Sequence, residues 1–156
     1  MRAYRLRKKK AAQQHHKIWH RHLKDNWETP ADVFDPVQRE FGILLDVCAT
    51  ADNTKCARYF TPTDDGIKQD WGTNICWMNP PFSEVADWLR KALASAQAGA
   101  TVVCLVKHTP GAGWWRKTIA PNTEVRALGR VRFVGAKNQS PFDVALVFFR
   151  PPPRAA

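Results

Sequence analysis

The sequence has no apolar run approaching the about 18–20 residues of a membrane-spanning helix, which argues against a helical span. Its basic start, Met1 to Lys10, is not followed by an apolar stretch, so no secretory leader is expected and the cytoplasm is the default location. The four cysteines, Cys48, Cys56, Cys76 and Cys104, make no C-x-x-C pair, which argues against a zinc knuckle. Most of them lie in or beside apolar segments and read as free thiols packed like small hydrophobes. Residues 1–24 contain no acid at all, yet hold nine Lys or Arg. The rest of the 156-residue chain carries fifteen bases against fourteen acids, so most of the net charge of +10 sits in that arm. A basic block neutralises phosphates and releases their counterions, which points to nucleic acid as the partner. His16 and His20 have the i, i+4 spacing of a metal pair, but no acid or cysteine stands near them, so no metal site is expected.

The length suits one domain, expected over 25–151, between the 1–24 arm and a tail at 152–156. Thr29-Pro30 reads as a helix start, with Thr at the cap and Pro in the first turn. Val33, Val37 and Phe41 give that helix an apolar face, and Gly42 ends it. Ile43 to Val47 reads as a buried strand. Residues 48–66 read as irregular, broken by Pro62 and Gly66. Ile75 to Met78 is a second short strand, stopped by Asn79-Pro80-Pro81. Ser83 is placed to cap the next helix, whose inner face is Val85, Trp88, Leu89, Ala92, Leu93 and Ala96 and whose stop is Gly99. Strands are expected at Thr101–Val106, Val125–Leu128, Val131–Val134 and Val144–Phe149, with Pro151 to Pro153 ending the fold. Unalternating strands between helices imply an α/β domain with a mostly parallel sheet and an antiparallel far edge.

In open α/β sheets ligands bind beyond the carboxyl ends of the strands. Asp46 ends the first strand and Asn79 the second; Asp70 precedes the second. Asn79-Pro80-Pro81-Phe82 is the most informative stretch. Its prolines fix the backbone and remove two donors. What remains are acceptors, the Asn79 side-chain oxygen and the Pro80 carbonyl, next to the flat face of Phe82. Two acceptors match the two hydrogens of an exocyclic amine and draw its nitrogen toward tetrahedral geometry, freeing the lone pair. The aromatic ring offers a stacking surface to a base turned out of a duplex. A cytosine-C5 enzyme would need a Pro-Cys pair, and there is none.

These residues resemble the phage-type DNA N6-adenine methyltransferase family (Dam-like) over roughly Trp27 to Arg150. The resemblance is carried by Trp27-Glu28-Thr29-Pro30, Leu45 to Ala49, Asn53-Thr54-Lys55, Trp71 and Trp77 to Ser83. It continues through Trp114-Trp115, Gly129 to Phe133 and Phe142 to Phe149. It implies a Rossmann-like S-adenosylmethionine-dependent methyltransferase fold acting on double-stranded DNA. By carry-over, Thr29 and Pro30 help seat S-adenosylmethionine, Asp46, Cys48 and Ala49 form the cofactor loop, and Asp70 approaches the cofactor's adenine. Asn79, Pro80, Pro81 and Phe82 hold the target base and carry the catalysis. The loop Cys48-Ala49-Thr50-Ala51-Asp52 has no glycine, although many methyltransferases bring backbone close to the ligand there with glycine. The segment Lys107-His108-Thr109-Pro110 also departs from the family pattern. Two other readings stand beside this one: an amine methyltransferase acting on RNA or protein, and a nucleic-acid-binding protein with a decayed methyltransferase fold.

Overall fold

The computed structural model describes residues 27–154. The basic arm, with His16 and His20, and the last two residues of the expected tail lie outside the described residues.

Helix α1 (Ala31–Phe41) follows Pro30, which is extended and caps with its backbone, its carbonyl accepting from the N–H groups of Val33 and Phe34 at 3.1 Å each. Thr29 therefore does not cap the helix; its hydroxyl is used elsewhere. Gly42 ends α1 in the left-handed conformation (φ +66°), which glycine adopts without a Cβ penalty. The Gln38 side chain then clasps the next residue: its amide donates to the Ile43 carbonyl at 3.0 Å and accepts the Ile43 N–H at 2.7 Å. That clasp turns the chain from helix into β1 (Leu45–Asp46). β1 is short, but flanking bonds from Leu44 N–H to Ile75 O and from Val47 N–H to Trp77 O prolong its alignment.

The segment expected to be irregular contains an edge strand, β2 (Arg58–Tyr59), and a 3-10 turn over Gly66–Lys68. β3 (Ile75–Met78) runs to the two prolines as expected. A 3-10 turn at Phe82–Glu84 precedes α2 (Val85–Gln97), so the cap position falls on Glu84 rather than on Ser83. β4 (Thr101–Lys107) follows the turn at Gly99, and a π-helical turn at Trp115–Ile119 buries Trp115 in the core. β5 (Glu124–Gly129) and β6 (Val144–Phe149) complete the sheet. Val131–Val134 is not a strand. Val131 and Phe133 are buried, which produced the alternation, but the chain has left the sheet at Gly129 (φ +70°). It is held instead by the bond from Val134 N–H to Glu28 O and by the pairing of Val131 with Ser140.

The strand order is β2-β1-β3-β4-β6-β5. The expected mostly parallel sheet is a mixed one. β1–β2, β1–β3 and β3–β4 pair in parallel, whereas β4–β6 and β5–β6 are antiparallel, both through the reversed β6. Helices cover both faces. Val102, Cys104 and Val106 of β4 face α2, while Val103 and Leu105 face the side of α1, where Phe34 meets Trp77 edge-on at 5.1 Å. Burial on both faces explains why β4 reads as an unbroken apolar run. The helical layers leave open the sheet edge at which β1, β3 and β4 end, and the candidate site lies there.

Candidate active site

Asp46 ends β1 with its side chain almost wholly buried. One carboxylate oxygen accepts the Cys48 N–H at 3.2 Å and the other the Lys55 N–H at 3.0 Å. The same carboxylate thus ties both ends of the loop that lacks glycine. Inside it, the Asn53 side chain accepts the Thr50 N–H at 2.7 Å, and Ala49 N–H reaches Phe60 O. Side-chain caps shape this loop where glycines would otherwise permit the turn. Burial pushes the Asp46 carboxyl up to about 7, although the two loop N–H groups pull the other way.

Asn79 follows β3. Its amide nitrogen donates to the Trp27 carbonyl at 2.6 Å and to the Thr29 hydroxyl at 3.0 Å. A carbonyl only accepts, so the amide nitrogen must face Trp27 and the amide oxygen must point away. Both amide hydrogens are engaged. No described residue donates to that oxygen or to the Pro80 carbonyl. Thr29 is buried and serves as the strut that orients Asn79.

Beside Asn79 lies an aromatic cluster. Phe82 meets Phe142 edge-on at 5.6 Å, and Trp27 packs on Phe133 at 5.2 Å and on Phe142 at 5.5 Å. The Lys107 ammonium lies against the Phe82 and Phe142 rings.

A cavity of about 550 Å³ opens between these parts. Of the residues singled out in the sequence, Thr29, Asp46, Cys48, Ala49, Asn79 and Pro81 line it. Pro80 is buried behind its wall, Phe82 sits in the aromatic cluster, and Pro30 starts α1. Asp70 is not brought to the cavity. It is exposed, accepts the Gly72 N–H at 2.8 Å in its own turn, and borders a separate small groove with Lys91 and Ser95.

Other residues that line the cavity were not read from the sequence as site residues. Glu28, Asp65, Glu84 and Asp87 join Asp46 there, against the two cations Lys55 and Lys68. Trp88 also lines it, with a buried indole N–H that finds no acceptor among the described residues. Gly66 permits a close approach, since a Cβ there would meet the Val47 carbonyl oxygen at 2.1 Å. Gly66 was legible only as a chain breaker and Asp65 not at all, and the positions of Glu84, Asp87 and Trp88 depend on where α2 docks.

The family described as "DNA N-6-adenine-methyltransferase (Dam)" matches residues 17–151. A protein of Haemophilus phage HP1 (strain HP1c1), named DNA N-6-adenine-methyltransferase, is 33% identical over 94 residues, 59% of this chain and 54% of that protein. A protein of Escherichia phage T1 with the same name is 25% identical over 95 residues, 60% of this chain and 40% of that protein. The chain spans about half the length of the curated relatives it matches. With the match running from before α1 to the end of β6, the chain belongs to the DNA N-6-adenine-methyltransferase (Dam) family.

Proposed function

We propose that this chain methylates the exocyclic N6 of adenine in double-stranded DNA, with S-adenosylmethionine as the donor. One observation carries the reading. Asn79 is held by Trp27 and Thr29 so that its side-chain oxygen, with the Pro80 carbonyl, remains as an acceptor next to an acid-lined cavity.

The cavity suits that donor, whose sulfonium and ammonium groups are cationic. Glu28 pairs with Lys55, Asp65 with Lys68 and Asp87 with Arg90, which leaves Glu84 and the buried Asp46 as the acids open to a cationic ligand. The orphaned Trp88 N–H is a donor in want of an acceptor, which a nucleoside or a carboxylate supplies. The backbone of Cys48 and Ala49, Thr29, Trp88 and the surrounding acids would hold the cofactor, which when bound supplies an electrophilic methyl group. A cavity beyond the carboxyl ends of β1 and β3 is where a Rossmann-like domain takes its ligand.

The chain's own contribution is to position and polarise the base. Asn79 Oδ1 and the Pro80 carbonyl accept the two N6 hydrogens and free its lone pair. As N6 forms its new bond it becomes positively charged, and the same two oxygens stabilise that charge. They were fixed before the reaction, so little reorganisation is needed. The extra proton then leaves to water, since a protonated aryl amine is acidic. A base inside a duplex cannot reach this site, so it must be turned out, with Phe82 as its stacking face. The arm at 1–24 adds sequence-blind attraction to the backbone.

The test is to incubate the protein with methyl-labelled donor and unmodified duplex DNA, then identify the labelled nucleoside. Labelled N6-methyl-2′-deoxyadenosine from the DNA is expected. Label confined to RNA or protein substrates, or no binding of the donor in calorimetry, would overturn the reading.

A further inference from the structure

Lys107 ends β4 at the same sheet edge as Asn79. Its ammonium nitrogen lies 4.4 Å from the centre of the Phe142 ring and 5.4 Å from that of Phe82. The side chain is half-buried and forms no ion pair or hydrogen bond with any described residue. Asp143 is next to it across the β4–β6 ladder, yet its carboxylate does not pair with Lys107; its backbone carbonyl accepts the His108 N–H instead. Two ring faces offset only part of the hydration that an ammonium gives up. A half-buried cation held in this way at the strand ends is suited to an anion brought by a ligand.

We propose that Lys107 grips the phosphate of the target nucleotide and thereby holds its base on Phe82 with N6 against Asn79. The proposal rests on the reading that Asn79 to Phe82 receive the base. A nucleotide brings two kinds of partner for an ammonium: ring nitrogens and a phosphate. Charge decides between them. N6 becomes positive while its new bond forms, and a lysine aimed at the base edge would oppose that charge through a partly dry site. The phosphate carries a full negative charge and is separated from the base by the sugar, so pairing there binds the substrate without opposing the reaction. The surface around Lys107 agrees. Lys107 and Gly129 flank Val144 on either side in the sheet, and exposed Arg130 and Arg132 follow Gly129. Two further cations thus follow the strand on the other side of Val144, with the exposed acid Asp143 between them and Lys107.

The experiment uses the full chain and a duplex carrying a site that the wild type methylates, with 2-aminopurine at the target position for the flipping measurement. Lys107→Met keeps an unbranched side chain on the two rings and removes the charge; Lys107→Gln removes the charge but stays polar. Both should lower the slope of log affinity against log salt by about 0.9, the value of one phosphate contact. Both should also raise KM for DNA severalfold, weaken the 2-aminopurine fluorescence rise and leave donor affinity unchanged, while Lys107→Arg restores the slope. Folded Lys107→Met and Lys107→Gln proteins with the wild-type salt slope and fluorescence rise would overturn the proposal while leaving the base site intact. A wild type that binds the donor but never turns the base out would overturn the base site and this proposal together.

Discussion

Asn79 and Thr29 stand fifty positions apart in the chain and are joined by a 3.0 Å hydrogen bond from the Asn79 amide to the Thr29 hydroxyl. The bond couples the start of α1 to the end of β3 and fixes which atom of Asn79 is presented to the site. Thr29→Val keeps the shape and removes the acceptor. One amide hydrogen is then left without its partner, a loss of about 1–3 kcal/mol for a buried donor. Turnover should fall roughly tenfold or more with modest loss of stability, and Thr29→Ser should retain most activity. Steady-state kinetics on the two variants, with melting curves as the control, check this.

Asp46 should make stability depend on pH. Its carboxyl ionises near 3.9 in an unfolded chain and is pushed up to about 7 by burial. Between those values the folded state holds a proton that the unfolded state has released. The group's contribution is therefore complete below about pH 4 and is lost as pH rises through 7. Melting temperatures of wild type and Asp46→Asn across pH 4–8 should show a fall in the wild type that the variant lacks. A parallel pair of curves would contradict the assignment.

The same residue is a test of the cofactor loop. Asp46→Ala removes the acceptor for both Cys48 and Lys55 N–H groups, so the loop loses its two ties. Donor affinity measured by calorimetry should drop at least tenfold in protein that still melts cooperatively. Unchanged affinity would confine Asp46 to a role in folding.

Gly66 is predicted to reject even a methyl group. A Cβ there would lie 2.1 Å from the Val47 carbonyl oxygen and 3.0 Å from the Trp88 ring. Gly66→Ala should cost about 1–3 kcal/mol through overpacking, lowering Tm by roughly 2–4 °C per kcal/mol in a chain of this size. Gly111 has open space around its Cβ direction, so Gly111→Ala should melt like the wild type. Thermal melts of the two variants side by side make the comparison.

Deleting residues 1–24 removes nine positive charges and leaves a nearly neutral chain. DNA affinity should weaken, and the slope of log affinity against log salt should fall by about three to six, since each lost phosphate contact removes about 0.9. Donor affinity should survive. Parallel salt plots for the full and shortened chains would assign DNA binding to the remaining residues.

What was legible in the sequence was what local chemistry dictates. Two prolines stop β3 at Asn79 wherever the strand lies, and a strand buried on both faces must read as apolar from Val102 to Val106. β2 escaped notice because Arg58–Tyr59 is two residues long and lies on the sheet's edge, with no apolar run to mark it. Val131 and Phe133 alternate like a strand, but they are buried from a loop held by Glu28 and Ser140, partners distant in sequence. Thr29 fits a helix cap by its neighbours alone. Only the folded chain brings Asn79 to its hydroxyl and leaves the capping to Pro30. Asp70 stands next to a strand that ends at the site, but its own turn keeps it away, whereas Asp65, Glu84 and Asp87 reach the cavity through the docking of a 3-10 turn and α2. Which residues stand at the strand ends follows from sequence; which acids converge on them follows from tertiary packing.

In the proposed reaction Asn79 acts on the target amine and not on the methyl donor. The direct measurement is Asn79→Ala, assayed for methyl transfer to DNA and, on the same preparation, for donor affinity by calorimetry. Losing one preorganised hydrogen-bond partner of the transition state costs about 2.7–4 kcal/mol, or roughly 10²–10³ in kcat. Transfer should fall by that amount while donor affinity stays within a factor of about three of the wild type. Near-normal transfer by the folded variant, or a loss of donor binding large enough to explain the fall, would contradict it.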